Sequence, residues 1–333
     1  MMIEKNKGKW IGLGIGSIIV LFFMWGSVIW GLTKVDTQMV IDSFLRFDGS
    51  NEHIIIQDTR IPRSLIAAAV GASLAMAGAI MQGITNNPLA SPSIFGVNAG
   101  ASFFVVLGIT AFGMTSLMSF TWLAFLGATL AVIIVYSLGT LGKDGLTPIK
   151  MTLAGAAIAA LFSSLTQGML TLNEQSLDQA LFWLAGSVQG RDLNILTAVF
   201  PYILTGLVAS LLIGKQINVL AMGEDLAKGL GQKTWLIKVL AALTIVLLAG
   251  GAVAVAGPIG FIGIVIPHVA RWMVGIDYRW VIPYSGMLGA VLLLIADIGA
   301  RYIIMPAEVP VGVMTAVIGV PFFIYIARRG INE

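Results

Sequence analysis

The chain has 333 residues, of which 58% are hydrophobic and 11% charged, with a mean hydropathy of +0.95. A water-soluble domain of this length lacks the polar surface to cover so much apolar side chain, so the solvent of most of this protein is lipid. The formal charge of +3 comes from basic residues scattered between apolar runs, which excludes a nucleic-acid-binding patch, and the absence of cysteine excludes disulfides, thiolate metal sites and thiol catalysis.

Continuous apolar runs of 18 or more residues recur along the chain. A lipid core about 30 Å thick needs roughly 20 residues of helix, and these runs are too long and too continuous for barrel strands. The fold class expected is all-α, a polytopic membrane protein with about ten transmembrane helices, and the whole of 1–333 is read as a single transmembrane domain. Lys5, Lys7 and Lys9 precede a first run from Trp10 to Leu32, longer than a signal-peptide core and read as a retained span. Breaks at charge, proline and asparagine place the ten spans at about 10–32, 64–84, 93–112, 119–140, 150–171, 194–213, 234–255, 258–275, 281–300 and 311–327. An even number puts both termini on one side. With that side cytoplasmic, inner segments collect 13 of the 19 lysines and arginines and outer segments keep 6, the bias that insertion favours.

Small residues crowd several spans: Gly71, Ala75 and Gly78 in the second, Gly286 and Gly289 in the ninth. They permit close helix packing. Ionisable groups fall at span ends or in loops, and Asp297 comes nearest to an exception. Its i,i+4 spacing from Arg301 allows an ion pair on one helix face, which either holds the end of the ninth span or presents Arg301 to a partner. His53 and His268 have no second histidine at metal-ligand spacing, no nucleophile motif accompanies any serine, and Gly142-Lys143 is followed by Asp144, not by the Ser or Thr of a phosphate loop. An intramembrane enzyme and an ion-coupled secondary transporter both lack their required groups. No metal, cofactor or catalytic residue is assigned to this chain, and any ATP must be bound elsewhere.

Between the sixth and seventh spans, Gly223-Glu224-Asp225-Leu226-Ala227-Lys228-Gly229-Leu230-Gly231 reads as a short helix with acids in its first turn and a glycine stop. This stretch resembles the coupling-helix motif G-x-x-x-A-x-x-L-G of the permease subunits of ABC importers for iron-siderophores, haem and cobalamin. Further segments match in order. They are Arg60-Ile61-Pro62-Arg63 with Gly71 to Gly83, Asn87-Pro88-Leu89-Ala90-Ser91-Pro92 with Gly96 to Ala101, Gly257 to Gly263 with Ile266-Pro267-His268, Ala296 to Arg301, and Pro310 to Val313 with Gly319 to Phe323. The likeness covers about residues 60–327.

The resemblance implies a type II ABC importer permease. It implies a second permease subunit, identical or paralogous, two cytoplasmic ATPase subunits carrying ATP and Mg, and an extracytoplasmic binding protein. Residues 221–232 would be the coupling helix, with Gly223, Ala227, Leu230 and Gly231 at the ATPase. Arg60, Arg63 and Arg301 would receive acidic side chains of the binding protein, the guanidinium offering a fork that lysine lacks; anchoring of helix ends at headgroups is the competing role. Thr147, Pro148 and Ile149 would form the cytoplasmic gate, although Pro148 and Ile149 depart from the family's hydroxyl-rich pattern. A ferric siderophore is the substrate expected, with an ion-coupled secondary transporter as the alternative function.

Overall fold

The computed structural model describes residues 3, 5–31, 33, 35–141, 147–172 and 177–329. Seven helices are long and apolar enough to cross a membrane: Asn6–Ile29, Asn51–Thr85, Leu117–Gly139, Ile149–Leu172, Leu193–Leu212, Thr234–Ala256 and Tyr278–Ala300. Three shorter apolar helices, Val97–Phe112, Ile262–Val274 and the one beginning at Val311, bring the number among the described residues to the ten expected. The spans are numbered first to tenth below in chain order.

The short members have a physical explanation. At 1.5 Å per residue, the 16 residues of the third span and the 13 of the eighth reach only about 24 and 20 Å. Both start inside the bundle, after segments that are not α-helical. Asn86 and Gly96, at φ +48° and +71°, bracket the turn that precedes the third span, and Gly257 and Phe261, at φ +76° and +67°, bracket the one before the eighth. Such backbone survives at membrane depth only when protein surrounds it. Here it does: Ala90, Phe95, Ile259 and Ile262 are buried. Because these turns are themselves apolar, hydropathy carries the expected third and eighth spans, from 93 and 258, a few residues too far upstream.

The second and ninth spans form the centre, with the most extensive contact between any two helices. Gly71 and Gly289 face each other so closely that a Cβ on either would strike the backbone carbonyl of the other. Lipid offers helices no hydrophobic drive to associate, so packing of this kind holds them. The second span is accordingly buried nearly throughout, from Ser64 to Thr85.

The first and fifth spans lie at the periphery, and their outer faces differ. The first exposes Trp10, Ile11, Ile15, Ile18, Leu21 and Phe22, a surface suited to acyl chains. The fifth exposes Ala156, Ala160, Ser163, Ser164, Gln167 and Thr171 among its leucines, a small and polar stripe that lipid would not solvate.

Candidate functional sites at the two ends of the bundle

Where the second span begins and the ninth finishes, five charged side chains meet. The second span is entered through a π-helical turn, Ile55–Arg60, which delivers Arg60 and Arg63 to the inside. Arg63 forks onto Asp297, with Nε at 2.9 Å and Nη2 at 2.8 Å from Oδ1, and its Nη1 lies 2.7 Å from Glu308. Arg301 completes the group from one turn beyond Asp297, at 2.6 Å. It also donates to the Ser27 and Trp30 carbonyls at the end of the first span, at 2.6 and 2.7 Å. Arg60 serves the same helix end through the Val28, Ile29 and Thr33 carbonyls. Apart from that of Thr33, which lies past the helix, these acceptors are the orphan carbonyls that a helix terminus leaves unpaired.

The expected pair of Asp297 with Arg301 is therefore present, and it is one side of a larger cluster. Arg60, Arg63 and Arg301 are 5%, 6% and 3% exposed. In this structure all three turn inward onto partners of their own chain. Sequence reasoning missed Arg63 with Asp297, 234 residues apart, and missed Glu308. The i,i+4 rule finds partners along one helix and is blind to partners across two.

At the opposite end, Glu224–Gly229 forms the short helix expected within 221–232, entered at Gly223 with φ +116° and left at Gly231 with φ +78°. Positive φ at both positions explains why glycines flank it. Glu224 anchors the helix to the start of the seventh span, accepting from Lys238 at 2.6 Å and from Thr234 at 3.3 Å, and pairs with Lys228 at 3.2 Å. Burial raises the Glu224 pKa, but the hydrogen bond and charge of Lys238 outweigh it and hold the carboxyl below its usual range. Gln232 donates to the Gln216 carbonyl at 2.9 Å.

A second bracket joins this region to the ninth span. Asn218 donates to Asp277 at 2.6 Å and accepts from the Tyr278 amide at 2.7 Å. Burial favours the protonated acid, yet hydrogen bonds from Arg279 and Asn218 prevail and Asp277 is held down to about 2.

The two faces of the short helix differ in exposure. Ala227 is fully buried against its own chain, because a small residue at that position lets the helix sit close to the bundle. Outward instead are Met222, Leu226 and Leu230, 63%, 58% and 68% exposed. Leu230 is thus exposed beside the flanking glycines, and Leu226 is an exposed apolar residue that the motif did not single out.

Of the expected gate, Thr147 caps the fifth span, its Oγ1 accepting from the Lys150 amide at 3.3 Å, with Pro148 as first helical residue. Ile149 is 72% exposed.

Comparison with known proteins follows the same pattern. The FecCD transport family matches residues 18–329. The Bacillus subtilis (strain 168) protein named "Probable siderophore transport system permease protein YfiZ" is 59% identical over 330 residues, 99% of each chain. Ferric enterobactin transport system permease protein FepD of Escherichia coli (strain K12) is 41% identical, across 91% of this chain and 90% of its own. A solved metal-chelate type ABC transporter in an inward-facing conformation superposes with a TM-score of 0.83 at 29% identity, covering 95% of this chain and 98% of that one. With ten apolar helices among its described residues, its short third and eighth spans and its glycine-flanked helix between the sixth and seventh, the chain belongs to the FecCD transport family.

Proposed function

We propose that this protein is the membrane-spanning subunit of an ATP-driven importer of ferric siderophores. The observation that carries the reading is the helix Glu224–Gly229, which is braced to the bundle by Glu224 and Gln232 yet leaves Met222, Leu226 and Leu230 uncovered. Exposed apolar side chains on a short, rigidly held helix suit insertion into a cleft of a cytoplasmic ATPase. ATP and its Mg would sit on two such subunits, and this chain would carry no cofactor of its own.

The polar stripe on the fifth span supports a second permease, identical or paralogous, packed to enclose a path between the two. Ser163 and Thr166 of that span also border a cavity of about 350 Å³ with Ser93, Asn98 and Ser102. A hydroxyl- and amide-lined space suits a hydrophilic cargo. Ile149 at the foot of the same span suits an apolar constriction beside Thr147 and Pro148.

In the orientation set by the positive charges, both termini and the Glu224 helix are cytoplasmic in a multi-pass cell-membrane protein, and the Arg63 cluster is extracytoplasmic. An external binding protein would dock there. Arg60, Arg63 and Arg301 would then shape the docking rim from within, holding three helix ends in register. The names of two relatives, a probable siderophore transport system permease and a ferric enterobactin transport system permease, support this substrate.

The test is uptake of radiolabelled ferric siderophore into proteoliposomes containing this chain with its partner permease, ATPase and binding protein. Uptake that requires internal ATP is expected. Uptake driven by an ion gradient alone would replace this reading with the secondary transporter.

A further inference from the structure

The start of the first span carries a cation that no described acid of the chain answers. Lys9 is 5% exposed, folded against the bundle and not extended into water as lysines at span ends usually are. Its ammonium lies 5.7 Å from the centre of the Trp280 ring, at the start of the ninth span. A ring face attracts a cation but does not neutralise it. Among the described residues no carboxylate lies within ion-pair distance of Lys9, whereas Arg279, next to Trp280 in sequence, is forked onto Asp277.

The surroundings hold this corner in place. The Tyr284 hydroxyl donates to the Lys9 carbonyl at 2.7 Å, and Gly12 leaves the room that this hydroxyl occupies. The Ile3 amide donates to the Met273 carbonyl at 3.0 Å, which ties the chain ahead of the first span to the end of the eighth. The Lys9 amide donates to the Lys5 carbonyl, so the exposed Lys5 stands one turn away on the same side, while Lys7, two residues from each, is turned to the other. Trp10, 67% exposed, meets Trp280 edge to face with ring centroids 5.2 Å apart. From Trp10 the surface continues into the exposed Ile11, Ile18 and Leu21.

We propose that this corner binds the headgroup of an anionic phospholipid, with Lys9 and Lys5 as counter-ions of its phosphate, the Trp10–Trp280 pair at the boundary between headgroup and acyl chain, and one acyl chain along the face of Ile18 and Leu21. In the orientation set by the positive charges the lipid belongs to the cytoplasmic leaflet. A lipid is favoured over a soluble anion because cations, aromatic rings and bare aliphatic side chains follow one another along one helix, the order of polarity within a phospholipid. A free phosphate would meet the lysines alone. Tryptophan is enriched at this boundary, and basic groups beside a span attract anionic headgroups.

The experiment is native mass spectrometry of the whole purified chain in detergent, titrated with phosphatidylglycerol and with phosphatidylcholine. One phosphatidylglycerol should bind about tenfold or more tightly than phosphatidylcholine, since each cation beside an anionic headgroup contributes roughly fivefold. Lys9→Gln should lower that preference about fivefold, and Lys9→Arg should keep it. Lys5→Gln, at an exposed position, should lower it by a similar factor and covers the event that Lys9→Gln fails to fold. Lys7→Gln removes the same charge from the opposite side and should change nothing. A phosphatidylglycerol with a photoactivatable headgroup should label peptides containing residues 5–10 or 280. Equal losses in Lys7→Gln and Lys9→Gln would reduce the site to the general attraction of a basic surface and overturn it. Labelling confined to other segments, or displacement of the lipid by excess inorganic phosphate, would overturn it as well.

Discussion

The two ends of the bundle treat charge in opposite ways. At one, Arg63, Arg301 and Asp297 are almost fully buried and satisfy one another within the chain. At the other, Glu224 is partly exposed, Lys228 is exposed, and the uncovered side chains are apolar. A closed ionic cluster gives fixed geometry; a braced helix with bare leucines gives an adhesive surface. In membrane proteins the first is expensive to dismantle and the second is cheap to alter, and this difference orders the expected effects of mutation.

The largest effect is expected from Asp297→Ala, which strands two buried arginines. Removing one partner of a buried pair costs about 3–5 kcal/mol. Thermal unfolding in detergent should show a large drop, with little protein reaching the membrane; wild-type stability would mean that the cluster is not closed. Next comes Leu230→Glu. Exposed in this chain, it should leave insertion and unfolding unchanged while ATP-dependent uptake falls more than tenfold, because burying an unpaired carboxylate in the ATPase cleft costs a few kcal/mol. Ala227→Arg should abolish uptake as well, but by forcing the helix off its own bundle, visible as increased protease cleavage near residue 227.

Glu224→Gln sharpens the comparison at its softer end. The acid is partly solvated, so its pairs contribute only about 0.5–1 kcal/mol, and ATPase stimulation by the binding protein should fall about two- to fivefold. The smallest effect is one of pH. Glu224 titrates below its usual 4.5, so its stabilisation is present above that value and is lost as pH falls through its lowered pKa. Asp277, at about 2, retains its stabilisation further into acid, losing it between 3.8 and about 2. Hydrogen exchange corrected for intrinsic rates should therefore show residues 224–232 loosening before the Asn218 contact does; simultaneous loosening would show that the two brackets are one unit.

The ten apolar helices among the described residues, their order and the short helix Glu224–Gly229 were legible because apolar length and glycine punctuation are local properties. What stayed hidden was of two kinds. The turns at Pro92–Phe95 and Gly257–Phe261 are as apolar as helix, since protein and not water surrounds them, so hydropathy could not mark where the helix starts. The partners of Arg63 and the burial of Lys9 against Trp280 depend on which helices meet, and one sequence contains no statement of that. The motif Arg60-Ile61-Pro62-Arg63 located the right place at the extremity of the second span, but whether its side chains turn outward or inward was decided by Asp297 on another helix.

The glycine contact between the second and ninth spans also has a mechanical meaning. Backbones in such close register cannot slide or roll without colliding, so the pair forms a keel, fixed at one end by Arg63 and Asp297. Opening and closing of a passage must then be the work of the planks hung beside it, the third to fifth spans. A spin-label pair at Leu65 and Ile295, exposed positions of the second and ninth spans, should report one distance throughout the cycle, while a pair from Ile295 to the exposed Leu161 of the fifth span should report two.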